Sequence, residues 1–166
     1  ARYARSYRPG ATPGTLREET IAYMYGGAVT DAQRPALGGA GLFSTAQDVT
    51  VFAQMMLNGG VYHGRRLLKA DTLAAMTHNQ MGDLTARAGM PWGYGFSVIA
   101  DPSKMEANTG YSAGSFGHGG AFGTSSWVDP ATGLIHIFMI QRNAIPAGPD
   151  NSPMRQAYER VLAEAH

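Results

Sequence analysis

Cysteine is absent from this 166-residue chain, which excludes disulfides, thiol nucleophiles and thiolate metal sites and leaves the redox compartment undecided. Lysine is nearly absent too, with Lys69 and Lys104 the only two. Charged residues make up 15% against 44% hydrophobic, a balance that argues for a packed core and against disorder. No apolar run reaches the length of a membrane span; the longest, "LIHIFMI" at residues 134 to 140, is interrupted by His136. That histidine reads as a satisfied core residue. The formal net charge is +1, and the one basic cluster is Arg2, Arg5 and Arg8. Tyr3 and Tyr7 lie nearby, but the interleaved stacking aromatics of a nucleic-acid surface are missing, so a flexible, solvated segment and no nucleic-acid partner are expected. His63, His78, His118, His136 and His166 show no H-x-H or H-E-x-x-H spacing, and no G-x-x-x-x-G-K occurs. Neither a metal nor another cofactor is expected. The opening "ARYARSYRPG" has no initiator Met and no signal-peptide core, and reads as a processed chain or a piece of something longer.

The length is that of one ordinary domain, sufficient to bury a core. Residues 1 to 41 carry many Gly, Pro and Thr and no sustained period, and read as an extended, loop-rich segment. A helix is predicted over about 45–58, with Ser44 as N-cap, Gln47 completing a capping box, and Val49, Phe52, Ala53 and Met56 inward. Asn58-Gly59-Gly60 ends it in a left-handed cap. After a turn at His63-Gly64 comes a short helix capped by Asp71, with Leu73 and Met76 inward. "WGYGFSVIA", residues 92 to 100, reads as a strand whose two glycines admit a close neighbour. "GTSSWVDPATGLIHIFMIQR" reads as a β-hairpin turning at Asp129 to Gly133, its second strand apolar on both faces as in a covered sheet. Ser152 and Pro153 open a last helix with a stripe of Met154, Ala157, Tyr158, Val161, Leu162 and Ala165.

The chemistry concentrates in "GYSAGSFGHGGAFGTSSWVDP", residues 110 to 130. Gly110-Tyr111-Ser112-Ala113-Gly114 fits G-x-S-x-G, the nucleophile elbow in which a strand turns sharply into a helix. The residues after Ser112 are too rich in glycine to propagate a helix. The His-Gly-Gly stretch also follows the serine here, whereas in α/β-hydrolases it precedes it by a long interval. Ser112 therefore reads as a loop residue. His118-Gly119-Gly120-Ala121 has two readings from spacing alone. It is a cleft-edge segment whose glycines let a ligand approach and whose amides face an oxyanion, or it is a tight turn with an exposed histidine.

Four ordered blocks, "LGGAGLFSTAQDVTVFAQMMLNGG", "RRLLKADTLAAMTHNQ", "WGYGFSV" and "FGHGGAFGTSSWVDPATGLIHIFMIQ", resemble the C-terminal half of the serine β-lactamase-related family. That family includes class C β-lactamases, DD-peptidases, D-amino-acid peptidases and esterases on the same frame. The resemblance runs from about residue 38 to 141, and the final helix also fits. It implies an α+β class: the C-terminal portion of a two-lobed β-lactamase/penicillin-binding-protein-like fold, an antiparallel sheet flanked by helices plus part of a helical lobe. It also implies a serine of S-x-x-K attacking a carbonyl, a tyrosine of Y-x-N assisting proton transfer, and a K-T-G or H-x-G element across the cleft. The third element falls on His118, Gly119 and Gly120 as substrate-binding residues, with the backbone amide of Ala121 as an oxyanion donor. Many family members are exported, so the envelope or secretion is the favoured localisation.

The departures are as informative. Arg66 and Asp101 stand three residues before the two lysines, so there is no S-x-x-K, and no tyrosine is followed two residues later by asparagine. The expectation is a single piece over 1–166 that is not autonomous. About 1–90 would form the loop-rich start and part of the helical lobe, and about 91–166 the sheet strands and the last helix. Its partner would be an N-terminal portion of the same protein carrying S-x-x-K and Y-x-N, and its substrate a small ester, peptide or β-lactam. Such a chain alone would be inactive. The rivals are a non-catalytic binding module that keeps the cleft wall, and a small esterase using Ser112.

Overall fold

Two short hairpins and two helices lead, in chain order, into a four-stranded antiparallel sheet closed by a C-terminal helix. The computed structural model describes residues 4–21, 26–28, 30–39, 42–84, 87–105, 109–143 and 152–164. Strands β1 (Ser6–Pro9) and β2 (Leu16–Glu19) form a hairpin within the stretch read from sequence as loop. Apolar alternation could not announce it, because ion pairs cross it instead: Arg5 to Glu18 and Arg8 to Glu19, each at 2.7 Å. Arg5 and Arg8 are thus committed to a structured hairpin and do not form a flexible basic segment. Arg2 and Tyr3 lie outside the described residues.

Helix α1 (Ala46–Leu57) occupies the predicted span, but its N-cap is Thr45, one residue later than expected. The Thr45 hydroxyl accepts from the Asp48 amide at 3.1 Å and donates to the Asp48 carboxylate at 2.9 Å, an Asp-based version of the capping box. At the other end Gly59 takes φ +68° while the Gly60 amide reaches back to the Met55 carbonyl, so the left-handed cap is as expected. Ala53, Met55 and Met56 are buried, whereas Phe52, predicted inward, is 48% exposed. Strands β3 (Val61–Tyr62) and β4 (Arg65–Arg66) turn at His63-Gly64, both with positive φ. Helix α2 (Ala70–Thr77) starts from Lys69 with no side-chain cap; Asp71 sits in its first turn and is not the cap. Leu73 and Met76 do pack on the core.

The sheet runs in the order β5 (Ser97–Val98), β6 (Phe116–Gly119), β7 (Ser125–Asp129), β8 (Leu134–Phe138). Its register aligns Val98, Phe116, Val128 and Ile135 on one face, where they join Ala53, Met55 and Met56 of α1 in one core cluster. The neighbouring rung, Ser97, Gly117, Trp127 and His136, points the other way. There Trp127 packs with Met90, Ile99 and Tyr111, and Leu162 of helix α3 (Pro153–Glu164) closes the cluster. Both faces are covered, which explains the apolar character of β8 on both sides.

Two further expectations are corrected here. Only Ser97–Val98 of the predicted 92–100 strand is regular; Gly93 to Phe96 form a turn, and Trp92 bridges back to Ser97. The close neighbour expected at its glycines is real for Gly93, where a side chain would collide with the Met76 and His78 carbonyl oxygens at the end of α2. In α3 the buried residues are Arg155 and Glu159, paired at 2.5 Å, while Met154 and Val161 of the predicted stripe are exposed. Tyr158, stacked on Phe138, and Leu162, packed on the Trp127 cluster, do face inward as predicted, with the ion pair at i, i+4 beside them. Ala165 lies outside the described residues. Ser152 does cap α3, accepting from the Arg155 amide at 3.2 Å.

Candidate active site

Strand β6 is hydrogen-bonded on both sides only through Phe116 and Gly117. Past that point β5 has ended, because the chain turns at Gly93 to Phe96, so His118 and Gly119 pair with β7 alone through Ser126 and Ser125. Among the described residues, the opposite edge of His118-Gly119 has no neighbouring strand. His118, Gly119 and Gly120 line an open cleft of about 1160 Å³, whose other walls include Phe122, Ser125 and Ser126 of β7, the β1–β2 hairpin and the start of α1 at Ser44 to Val49. The sequence-predicted residues His118, Gly119 and Gly120 are therefore brought together on one wall.

Gly120 donates to the Thr124 carbonyl at 2.7 Å and Gly123 donates to the Gly120 carbonyl at 2.8 Å, so residues 120 to 123 form a tight turn. Ala121 sits within this turn, one step beyond the cleft-lining glycines, and is exposed. Its N–H has no hydrogen-bond partner among the described residues. The tight turn offered by the spacing is present at residues 120 to 123, directly after the cleft-lining His118 and Gly119.

His118 is exposed, and its ring is held from two directions. Nδ1 donates to the Gly119 carbonyl, since a carbonyl can only accept. The Trp92 ring lies 4.8 Å away between centroids, tilted by 49°. Trp92 was missed as a site residue from sequence; the signal was a large aromatic immediately before the sterically obligate Gly93.

Carboxylates on the hairpin side are spoken for. A hydrogen bond from Arg8 outweighs desolvation and, with further help from Asn143 and the charge of Arg17, holds the Glu19 carboxyl below the usual glutamate range. An acid so paired stays ionised and is a poor general base. Among the described residues no group of three or more His, Cys, Asp or Glu could hold a metal, and no helix is long and apolar enough to cross a membrane.

Ser112 lies elsewhere. It is followed by a turn and then β6, not by a helix, so the geometry of a nucleophile elbow is absent. Its amide donates to the Asp129 carboxylate at 3.0 Å, and its hydroxyl is bonded to the same group. Asp129 is fully buried and also accepts from the Ala131 and Thr132 amides of the hairpin turn. Burial alone would raise its carboxyl, but the bonds from Ser112, Thr132 and Ala131 outweigh burial and leave it below the usual aspartate range. Ser112 and Asp129 clasp the loop before β6 to the β7–β8 turn.

Comparison with known proteins adds four findings. The family model described as Beta-lactamase matches residues 1–159. An uncharacterised protein of Mycobacterium tuberculosis is 33% identical over 147 residues, covering 77% of this chain and 37% of that protein. An Escherichia coli protein provisionally described as a D-alanyl-D-alanine carboxypeptidase is 30% identical over 141 residues, covering 84% of this chain and 30% of its own. Among solved structures, simvastatin synthase from Aspergillus terreus superposes with a TM-score of 0.69 at 17% identity, over 98% of this chain and 43% of that one, a likeness of fold. The chain spans about a third of the length of these curated relatives.

Proposed function

This chain belongs to the β-lactamase family, whose relatives are serine hydrolases with a β-lactamase/penicillin-binding-protein-like α+β fold, and from that premise we propose that it supplies the third motif and oxyanion wall of an acyl-enzyme hydrolase. The nucleophilic serine, its lysine and the tyrosine would reside on an N-terminal portion of the same protein. No S-x-x-K or Y-x-N occurs in the 166 residues.

The observation that carries this reading is that His118, Gly119 and Gly120 line the cleft and lead into Ala121, whose amide has no partner among the described residues. In the proposed step the serine oxygen adds to an ester, amide or β-lactam carbonyl. The carbonyl oxygen becomes an oxyanion that accepts from the Ala121 N–H. Its collapse breaks the bond to the ester oxygen or amide nitrogen, which takes up the proton given up by the serine hydroxyl and leaves, or in a β-lactam stays tethered as the ring opens, as the acyl-enzyme forms. Water then releases the acid. His118 faces the substrate from across the cleft and is neither nucleophile nor its base. The peptidase description of the Escherichia coli relative makes a D-alanyl peptide one natural substrate to try.

The test is turnover of a chromogenic ester and a chromogenic β-lactam by the chain alone and by the chain joined to the portion bearing S-x-x-K, with intact mass confirming what each sample contains. Turnover is expected only in the joined protein. Turnover by the pure 166-residue chain would sink the proposal, and if a serine-directed phosphonate then labelled Ser112, the small-esterase alternative would replace it.

A further inference from the structure

We infer that Trp92 is the positioning residue of His118, fixing which imidazole nitrogen the cleft meets; the inference rests on the reading of His118 as a substrate-facing group. The imidazole is constrained at one nitrogen by the Gly119 carbonyl and against one side by the Trp92 ring at 4.8 Å. Because Nδ1 must carry the proton it donates, the neutral ring presents Nε2 as a bare acceptor, and Nε2 has no partner among the described residues. An exposed histidine on a strand edge would otherwise sample several rotamers and both tautomers.

Trp92 can do this because it is itself fixed. Its carbonyl accepts from the Gln80 amide at 2.8 Å, and its backbone bridges Ser97 next to the end of β5. The following residue, Gly93, closes the turn to Phe96 at 2.9 Å while lying against the Met76 and His78 carbonyls that end α2. The chain therefore runs from the C-terminus of α2 through Gly93 to the indole and on to the imidazole. The same turn that stops β5 short, and so frees the edge of His118, delivers the aromatic ring that steadies it.

The experiment uses the protein joined to its catalytic portion. Nitrogen-15 resonances of the His118 ring should show the Nδ1-protonated tautomer in the wild type, a mixture in Trp92→Leu, and restoration in Trp92→Phe. A misplaced substrate contact of this kind costs up to roughly a hundredfold in kcat/KM. Trp92→Leu should lose activity on that scale, and should lose nothing more when introduced into His118→Ala. An unchanged tautomer in Trp92→Leu, or an equal loss with and without His118, would overturn the inference and leave Trp92 a packing residue. If the tautomer shifts while neither Trp92→Leu nor His118→Ala alters turnover, the positioning role stands and the assignment of His118 to the substrate falls. Should Trp92→Leu fail to fold, Trp92→Phe and Trp92→His carry the same comparison.

Discussion

At Ala121 the backbone and the side chain can be separated experimentally. The methyl group is exposed and incidental, and the amide is the group with a proposed role. In the joined protein Ala121→Gly should keep most activity. Ala121→Pro removes the donor and should reduce kcat on the order of a hundred- to a thousandfold, the usual cost of one oxyanion contact. Circular dichroism and melting must match the wild type, because proline also restricts the turn. A well-folded Ala121→Pro protein with near-normal kcat would return the segment to being only a turn. Asp129 makes a different prediction, one about stability. Its folded carboxyl titrates below the ordinary value of 3.8, so the stability it contributes is complete above that value and is lost as pH falls through the lower folded one. Asp129→Ala strands the Ser112, Ala131 and Thr132 amides and should cost roughly 2–4 kcal/mol near neutral pH. The difference from wild type should shrink towards pH 2, and a constant difference across the acid limb would mean the carboxylate is not what holds the clasp.

Elements with local signals were legible in the sequence. The span of α1 followed from its caps and periodicity, the β7–β8 hairpin from Asp129 to Gly133, and the start of α3 from Ser152-Pro153. What escaped depends on partners far away in sequence. The β1–β2 hairpin is held by charge pairs across strands, β5 is cut short by a turn packed against α2, and α3 buries an ion pair, Arg155 with Glu159, that apolar periodicity does not reveal. The candidate stretch His118 to Gly120 could be named from sequence, but the end of β5 beside it and the contact of Trp92 with His118 arise only where separate segments meet. Helix α1 shows the same division on its two faces. Met56 is 2% exposed and sits in the core, so Met56→Ala should cost about 2–5 kcal/mol. Phe52 is 48% exposed on the outer side, where core packing does not account for it. On the proposed reading Phe52→Ser should hardly change the melting temperature of the chain while weakening its association with the catalytic portion. A large loss of stability from Phe52→Ser, with association unchanged, would assign that face to this chain's own core.

For the molecule as a whole, the exposed apolar residues bear on whether it stands alone. Leu42 is 99% exposed and Phe43 48%, both among the cleft-lining residues, and Val51 and Phe52 of α1 are exposed as well. Scattered single residues of this kind are ordinary, and on the proposed reading these four would lie on the surface that the catalytic portion covers. Leu42, Phe43 and His118 line the same cleft, so on the proposed reading a portion covering the first two would also face the candidate site. The isolated 166-residue chain should therefore associate with itself, bind an apolar dye and lack turnover, and these three behaviours should change together. Adding the portion that bears S-x-x-K should quench the dye, yield a one-to-one species by sedimentation and bring turnover. The substitution Leu42→Ser with Phe43→Ser should reduce self-association of the isolated chain and weaken the one-to-one complex. A chain that sediments as a dye-free monomer would instead show that this surface needs no cover, and would favour the non-catalytic binding module over the catalytic half.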